Sequence, residues 1–398
     1  TIFTYEKEGV VPGLLTRWYT ERKAIQKQAK EAYGTDKFDY YDKRQLVRKI
    51  LLNSAYGALL NEHCRFYDKR IGQSVTLSGR QIVKHMMSTI NETVEGVYSH
   101  EGNAIVYGDT DSCYFTAYPT LKPQIESGAL EWNKETCIGL YDGIADNAND
   151  SFPAFMEKAF HAPRKNGEII KAGRELIGDR AIFMVKKRYA INIFDKEGKR
   201  KDKDGKLGDI KAMGLDLKRA DTPKYVQEFL MNVLQMVLQQ GKGREEVIET
   251  IKDFKRILTA QDSWTKGSPK GVNKLTYYGD LEAKAATGRA NMPGHVRAAL
   301  NYNYLRRVNG DQYSQLIIDG MKVIVCKLKS NALGFTSIAY PVDELRLPKW
   351  FCELPFDDSA MEQTLVDEKI DNLLGVLDWD IRSNTDTNST FNDLFTFG

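Results

Sequence analysis

Two carboxylates one residue apart, Asp109 and Asp111, interrupt the apolar stretch "VYGDTDSCYF" at 106–115. The pattern predicts a β-hairpin over 103–118 with a polar tip at Gly108–Asp111. Carboxylates at such a tip are hard oxygen ligands for divalent cations. Two cations a few ångströms apart can hold the attacking and leaving oxygens of a phosphoryl transfer. An Asp-rich turn without chemistry reads the same way on these residues alone, because Gly and Asp are ordinary turn formers. A calcium loop is a weaker reading, since no Glu stands where an EF-hand needs its bidentate ligand. "DKDGK" at 202–206 lacks that Glu as well and, crowded with lysines, reads as a solvated hairpin turn.

A second set of residues changes the balance. In "RKILLNSAYGALLN", Lys49, Asn53, Tyr56 and Gly57 recur at helical spacing and share one helix face. That face offers a cation for phosphate charge, an amide for a hydrogen bond, an aromatic plate and a bare glycine for stacking against a base pair. A nucleoside triphosphate could use each of them. Arg22, Lys23 and Lys27 add phosphate-binding charge on the preceding helix. Singly, Lys49 reads as a surface lysine and Tyr56 as a core aromatic.

The elements that must carry these groups follow from periodicity and breakers. Residues 14–33 predict an amphipathic helix, ended at Gly34, and 42–62 a second one with Asp42 as N-cap, together a helical hairpin. Helices are expected at 78–95, 138–161, 224–240 and 244–259. Residues 180–217 read as two strands around a charged turn, and 313–345 as mixed structure. Residues 383–390, "SNTDTNST", read as a flexible tether before the aromatic end "FNDLFTFG".

Composition describes a globular chain of 398 residues with 42% hydrophobic and 28% charged residues. It is long enough for two or three domains. No run of eighteen apolar residues occurs and no signal peptide is read, so a cytoplasmic protein is expected. The five cysteines form no C-x-x-C, which argues against a zinc site or disulfide framework. The net charge of +3 hides an asymmetry: residues 353–398 carry −9 and the rest +12. A basic body with an acidic tail points to a polyanionic partner for the body.

Three motifs in order resemble the family B DNA polymerases. "YGDTDS" at 107–112 is similar to that family's signature, "KILLNSAYG" at 49–57 to its K-x-x-x-N-S-x-Y-G motif, and "KKRY" at 186–189 to its basic motif. The terminal "FNDLFTFG" resembles the clamp-binding tail of phage replicases, and the resemblance as a whole is nearest to T-even-type phage polymerases. It implies an α+β right-hand fold, with a palm strand remnant at 1–8, helical fingers at 9–61 and an antiparallel palm at 62–214. A mainly helical thumb would follow at 215–382, and a tether and clamp-binding tail at 383–398. It also implies template-directed addition of dNTPs to a primer 3′-OH with two divalent ions, Mg²⁺ or alternatively Mn²⁺. By motif, Asp111 would be the principal metal ligand, Asp109 a second carboxylate and Glu175 a further acidic position. Arg22, Lys27, Lys49 and Asn53 would serve the triphosphate, and Tyr56 and Gly57 the nascent base pair. Lys186, Lys187, Arg188 and Tyr189 would hold the primer–template duplex. Phe391, Leu394, Phe395 and Phe397 would anchor a sliding clamp.

Two departures from the family pattern stand out. The second finger cation falls at Gln26, with Lys27 beside it. The first palm motif, D-x-x-S-L-Y-P, which supplies a further metal-binding aspartate, is absent from the chain, as is the exonuclease domain. The fold is therefore expected to be incomplete without an N-terminal partner, either a second polypeptide of a split polymerase or the rest of a longer chain. In isolation the chain is expected to be inactive. The competing reading is a non-catalytic DNA-binding and clamp-tethering subunit. Other palm enzymes, such as RNA polymerases and reverse transcriptases, usually carry adjacent aspartates and fit less well.

Overall fold

The computed structural model describes residues 3–279, 292–379 and 381. Helices and antiparallel sheets occur together, which makes the fold α+β. The chain divides into two compact units, Thr1–Arg174 and Glu175–Gly398. The division falls inside the 62–214 span expected to be palm.

The first unit opens with α1 (Val10–Glu31) and α2 (Lys37–Leu59), packed together as a helical hairpin. The Arg48–Glu21 ion pair at 2.6 Å and the hydrogen bond from Arg22 Nε to Gln45 Oε1 at 3.3 Å hold the two helices antiparallel. The expected N-cap of α2 is corrected: the helix starts five residues before Asp42, which accepts from Gln45 Nε2 as a helix-surface group. α3 (Lys69–Glu95) also starts earlier than expected, because Asp68 caps it. The Asp68 carboxylate accepts from Arg70 N and from the Arg70 guanidinium, which lowers its pKa to about 2. Residues 69–77 hold only three large apolar residues, Ile71, Val75 and Leu77, among polar residues and a glycine, so apolar periodicity announced this part of the helix only weakly.

α3 carries the carboxylate hairpin. Strands β1 (Ile105–Asp109) and β2 (Ser112–Phe115) pair antiparallel. Met86 and Ile90 of α3, Ile144, Ala148 and Phe152 of α5 (Lys134–Phe160), and Ile105, Cys113 and Phe115 of the hairpin share one core. The approach to β1 is fixed by Asn91, which is fully buried. Its amide donates to Val97 O at 2.8 Å and accepts from Ala104 N at 3.2 Å. A Cβ on Gly102 would fall about 2 Å from that amide, so only glycine fits there. Between the strands and α5 lies α4 (Tyr118–Glu126), and the short α6 (Arg164–Gly167) packs on α5.

In the second unit, β3 (Leu176–Val185), β4 (Arg188–Lys196), β5 (Lys199–Arg200) and β6 (Asp209–Met213) form an antiparallel sheet, with β4 paired to each of the others. This corrects the expected two strands around one charged turn: the charged stretch at 197–208 follows β4, and an earlier hairpin turns at Lys186–Lys187. α7 (Lys224–Leu238), α8 (Arg244–Thr259) and the C-terminal helix Glu368–Leu374 bury Leu230, Val233, Leu234, Ile251 and Leu373 with Ile182 and Ala190 of the sheet. A second core joins β7 (Ser268–Gly271), β8 (Lys322–Lys327) and β9 (Ser337–Pro341) to the helix Gly294–Val308. The tether and tail at 383–398 lie outside the described residues. No helix among the described residues is long and apolar enough to cross a membrane.

Candidate active site

The hairpin tip is built from a tight turn with a left-handed residue between the two carboxylates. Asp109 ends β1 opposite Ser112, and Thr110 has φ 53°. The turn closes through Asp111 N to Asp109 O at 2.6 Å and Ser112 Oγ to Asp109 O at 3.2 Å. The Thr110 hydroxyl donates to Asp109 Oδ1 at 3.1 Å. Asp109 is half-buried and Asp111 exposed. Gly108 packs under the tip: a Cβ there would stand 3.1 Å from Sδ and Cε of Met87 on α3. Cys113, on the buried side, has its thiol pKa pushed up to about 11 by burial, which keeps it a packing group.

The donor set fits a divalent cation in kind, with two hard carboxylates on one rigid turn, one of them exposed. In number it is short. Among the described residues, no three His, Cys, Asp or Glu side chains form a group that could hold a metal ion. Glu175 belongs to the second unit, where its exposed carboxylate lies 3.2 Å from Lys211 Nζ of β6.

Lys49, Asn53, Tyr56 and Gly57 all lie within α2. Lys49, Asn53 and Gly57 are exposed, and nothing lies within 4 Å of a Cβ built on Gly57. Tyr56 is half-buried, with its hydroxyl 3.5 Å from Gly72 O on α3. At Gly72 a Cβ would strike Leu60, so this glycine lets α2 dock on α3. The α2 contact at Gly72 and the hairpin contact at Met87 are fifteen positions apart on α3, roughly 22 Å of helix. α3 is thus the common strut of the Lys49–Asn53–Tyr56–Gly57 segment and the carboxylates. Arg22 is bound to Gln45, Gln26 is half-buried, and Lys27 is exposed with Glu31 at 4.0 Å.

The basic motif occupies the β3–β4 turn. Lys186 and Lys187 are exposed, and Lys187 is left-handed at φ 66°. Gly214, at φ 64°, backs the turn, since any Cβ there would lie 2.3 Å from Lys187 O. The next two residues turn inward. Tyr189 is buried with its ring stacked on Phe183 at 5.6 Å, and Arg188 Nη2 binds Asp216 Oδ2 at 3.2 Å. Reading by motif missed Thr110, Met87, Asn91 and Asp216. Thr110 acts through one local hydrogen bond, Met87 through packing, Asn91 through two hydrogen bonds to backbone and Asp216 through partners distant in the chain, so no spacing pattern reveals them.

Residues 2–127 match the model of DNA polymerase family B. The chain is 31% identical to the DNA-directed DNA polymerase of Enterobacteria phage T4 over 316 residues, covering 77% of this chain and 33% of that protein. It is 31% identical to the DNA-directed DNA polymerase of Escherichia phage RB69 over 311 residues, 75% of this chain and 33% of that one. With a DNA polymerase of Pyrococcus glycovorans it shares 28% over 252 residues, 63% of this chain and 26% of the relative. These matches make the chain similar to the family B DNA polymerases over the residues they cover. Among these relatives it is similar to the enzymes of T4-type phages. It spans about a third of the length of those two phage relatives.

Proposed function

We propose that this chain carries part of the active site of a DNA-dependent DNA polymerase, which adds dNTPs to a primer 3′-OH in phage DNA replication. The observation that supports this most directly is the rigid tip that holds Asp109 and Asp111 on the same strut, α3, as the Lys49–Asn53–Tyr56–Gly57 face. Phosphoryl transfer asks chiefly for positioning and charge neutralisation. In this reading Lys49 and Arg22 bind the triphosphate, helped by Lys27, and Asn53 hydrogen-bonds it. Tyr56 and Gly57 meet the nascent base pair. Asp111 and Asp109 would hold Mg²⁺ or Mn²⁺, which would neutralise phosphate charge and activate the primer hydroxyl. Lys186 and Lys187 meet duplex phosphates, a contact that is salt-sensitive and indifferent to sequence.

Two carboxylates on one turn do not complete a two-metal site. The reading therefore requires a further carboxylate from a segment bearing D-x-x-S-L-Y-P, joined to this chain or carried by a second polypeptide. The division into palm strand remnant (1–8), fingers (9–61), palm (62–214) and thumb (215–382), and the action of 391–398 as a clamp peptide, belong to the same proposal.

Primer extension with Mg²⁺ and dNTPs tests it, with this chain alone and with a polypeptide carrying D-x-x-S-L-Y-P. Extension only in the mixture is the expected result. Extension by the chain alone would mean that it supplies its own missing carboxylate. Silence in both, after assembly has been verified, would favour the non-catalytic DNA-binding and clamp-tethering reading.

A further inference from the structure

Asp216 lies in the 3-10 turn Asp216–Lys218 that follows β6, and its side chain is 13% exposed. Its Oδ2 accepts from Arg188 Nη2 at 3.2 Å and from Asn372 Nδ2 at 3.3 Å. Its Oδ1 stands 3.5 Å from Lys369 Nζ and 3.8 Å from Arg219 Nε. Arg219 also pairs with Asp221 at 3.0 Å, and Asp221 with Lys270 of β7 at 2.8 Å. A line of alternating charge thus runs from the base of the Lys186–Lys187 turn to the helix Glu368–Leu374 and to β7. Arg188 and Asn372 stand 28 and 156 residues from Asp216 in the chain.

Arg188 has few other restraints. Its Nε is buried with no hydrogen-bond partner among the described residues. The guanidinium is oriented by Asp216, and it sits directly after the turn, in register with Val185 across it. Asp216 itself is surrounded by three cations, so it adds no uncompensated negative charge against a polyanion. Its effect on such a partner is one of direction.

We propose that Asp216 is a positioning residue for duplex DNA: by fixing Arg188 at the base of the turn it sets how Lys186 and Lys187 face the phosphates, and it couples that turn to Lys369 and Asn372. The inference rests on the reading of this turn as the duplex contact. It divides the basic motif by role. Lys186 and Lys187 meet the polyanion, while Arg188 and Tyr189 build the platform from inside.

The test is binding of a short primer–template duplex by the full chain, followed by fluorescence anisotropy across a salt series, with melting temperatures measured in parallel. Asp216→Asn keeps the size and loses the charge; it should weaken binding about tenfold. Lys369→Met should weaken it in the same direction, the double variant should lose less than the two effects combined, and Asp216→Glu should recover most of the affinity. Lys369→Met also keeps the test alive if Asp216→Asn fails to fold. A lower melting temperature with unchanged affinity, measured well below melting, would reduce Asp216 to a structural residue and overturn the proposal. Tighter binding by Asp216→Asn would overturn it too, by showing that Asp216 withholds Arg188 from DNA. Lys186→Ala with Lys187→Ala separates the underlying claim. If neither affinity nor the salt slope responds to that pair, the turn is not the duplex contact, whatever Asp216 does.

Discussion

Thr110, held at φ 53°, donates its hydroxyl to Oδ1 of Asp109 at 3.1 Å, so a strained residue orients one of the two carboxylates it separates. The left-handed region costs a β-branched side chain about 1–2 kcal/mol, a cost glycine avoids at the expense of about 1 kcal/mol of chain entropy. Thr110→Gly is therefore expected to leave the melting temperature unchanged or slightly raised, yet to lower extension about tenfold through the lost hydrogen bond to a charged group. Thr110→Ser should retain most activity. Thermal melts and single-turnover rates on the complemented enzyme check both halves. A Gly variant as active as the parent would show that the hydroxyl has no orienting role.

Asp111 is the exposed carboxylate of the turn. Asp111→Ala is expected to abolish extension and to change primer–template affinity by less than about twofold, because a surface change away from packed groups costs little stability. Rates and anisotropy on the same preparation measure this. Retained extension would remove Asp111 from the chemistry.

His85 predicts an acid limb in stability. Ser151 Oγ already donates to Ala148 O at 2.7 Å, so His85 Nε2 donates to Ser151 Oγ at 2.8 Å and Nδ1 accepts from the Tyr98 hydroxyl at 2.7 Å. The ring is stacked on Phe155 at 4.0 Å. Burial lowers its pKa below the ordinary imidazole value, with the hydrogen bonding at Ser151 opposing. The unfolded chain then takes up the proton first. This contribution is fully present above about pH 6.5 and is lost as pH falls through the folded pKa, at no more than about 1.4 kcal/mol per pH unit. Melts between pH 7.5 and 5 should show the decline, and His85→Gln should flatten it. An unchanged slope in that variant would assign the acid limb elsewhere.

The tail gives a prediction that depends on its sequence alone, since 391–398 lie outside the described residues. Deleting 391–398, with Phe391, Leu394, Phe395 and Phe397, should shorten products made with a sliding clamp and leave distributive synthesis unchanged, because a tethered peptide acts by raising effective concentration. Product lengths with and without clamp measure this. Equal loss in both assays would count against a clamp peptide.

The sequence by itself determined what depends on near neighbours. The hairpin tip at Gly108–Asp111 follows from alternation around turn-forming residues, and the single face of Lys49, Asn53, Tyr56 and Gly57 follows from helical spacing. The helices Lys224–Leu238 and Arg244–Thr259 were legible for the same reason, each with a continuous apolar stripe. Tertiary structure decided the rest. α3 extends nine residues further back than its apolar pattern, because Asp68 caps it and Gly72 admits Leu60. The turn at Lys186–Lys187 exists because β4 takes β3 and β6 on its two sides, with Gly214 making room for Lys187 O. Arg188 and Tyr189, adjacent to two exposed lysines in sequence, face an aspartate and a phenylalanine instead of solvent. Spacing along the chain sets which side chains share a face. Which of them is neutralised, buried or left to meet a ligand depends on groups such as Asp216, Lys369 and Met87, which only packing brings alongside.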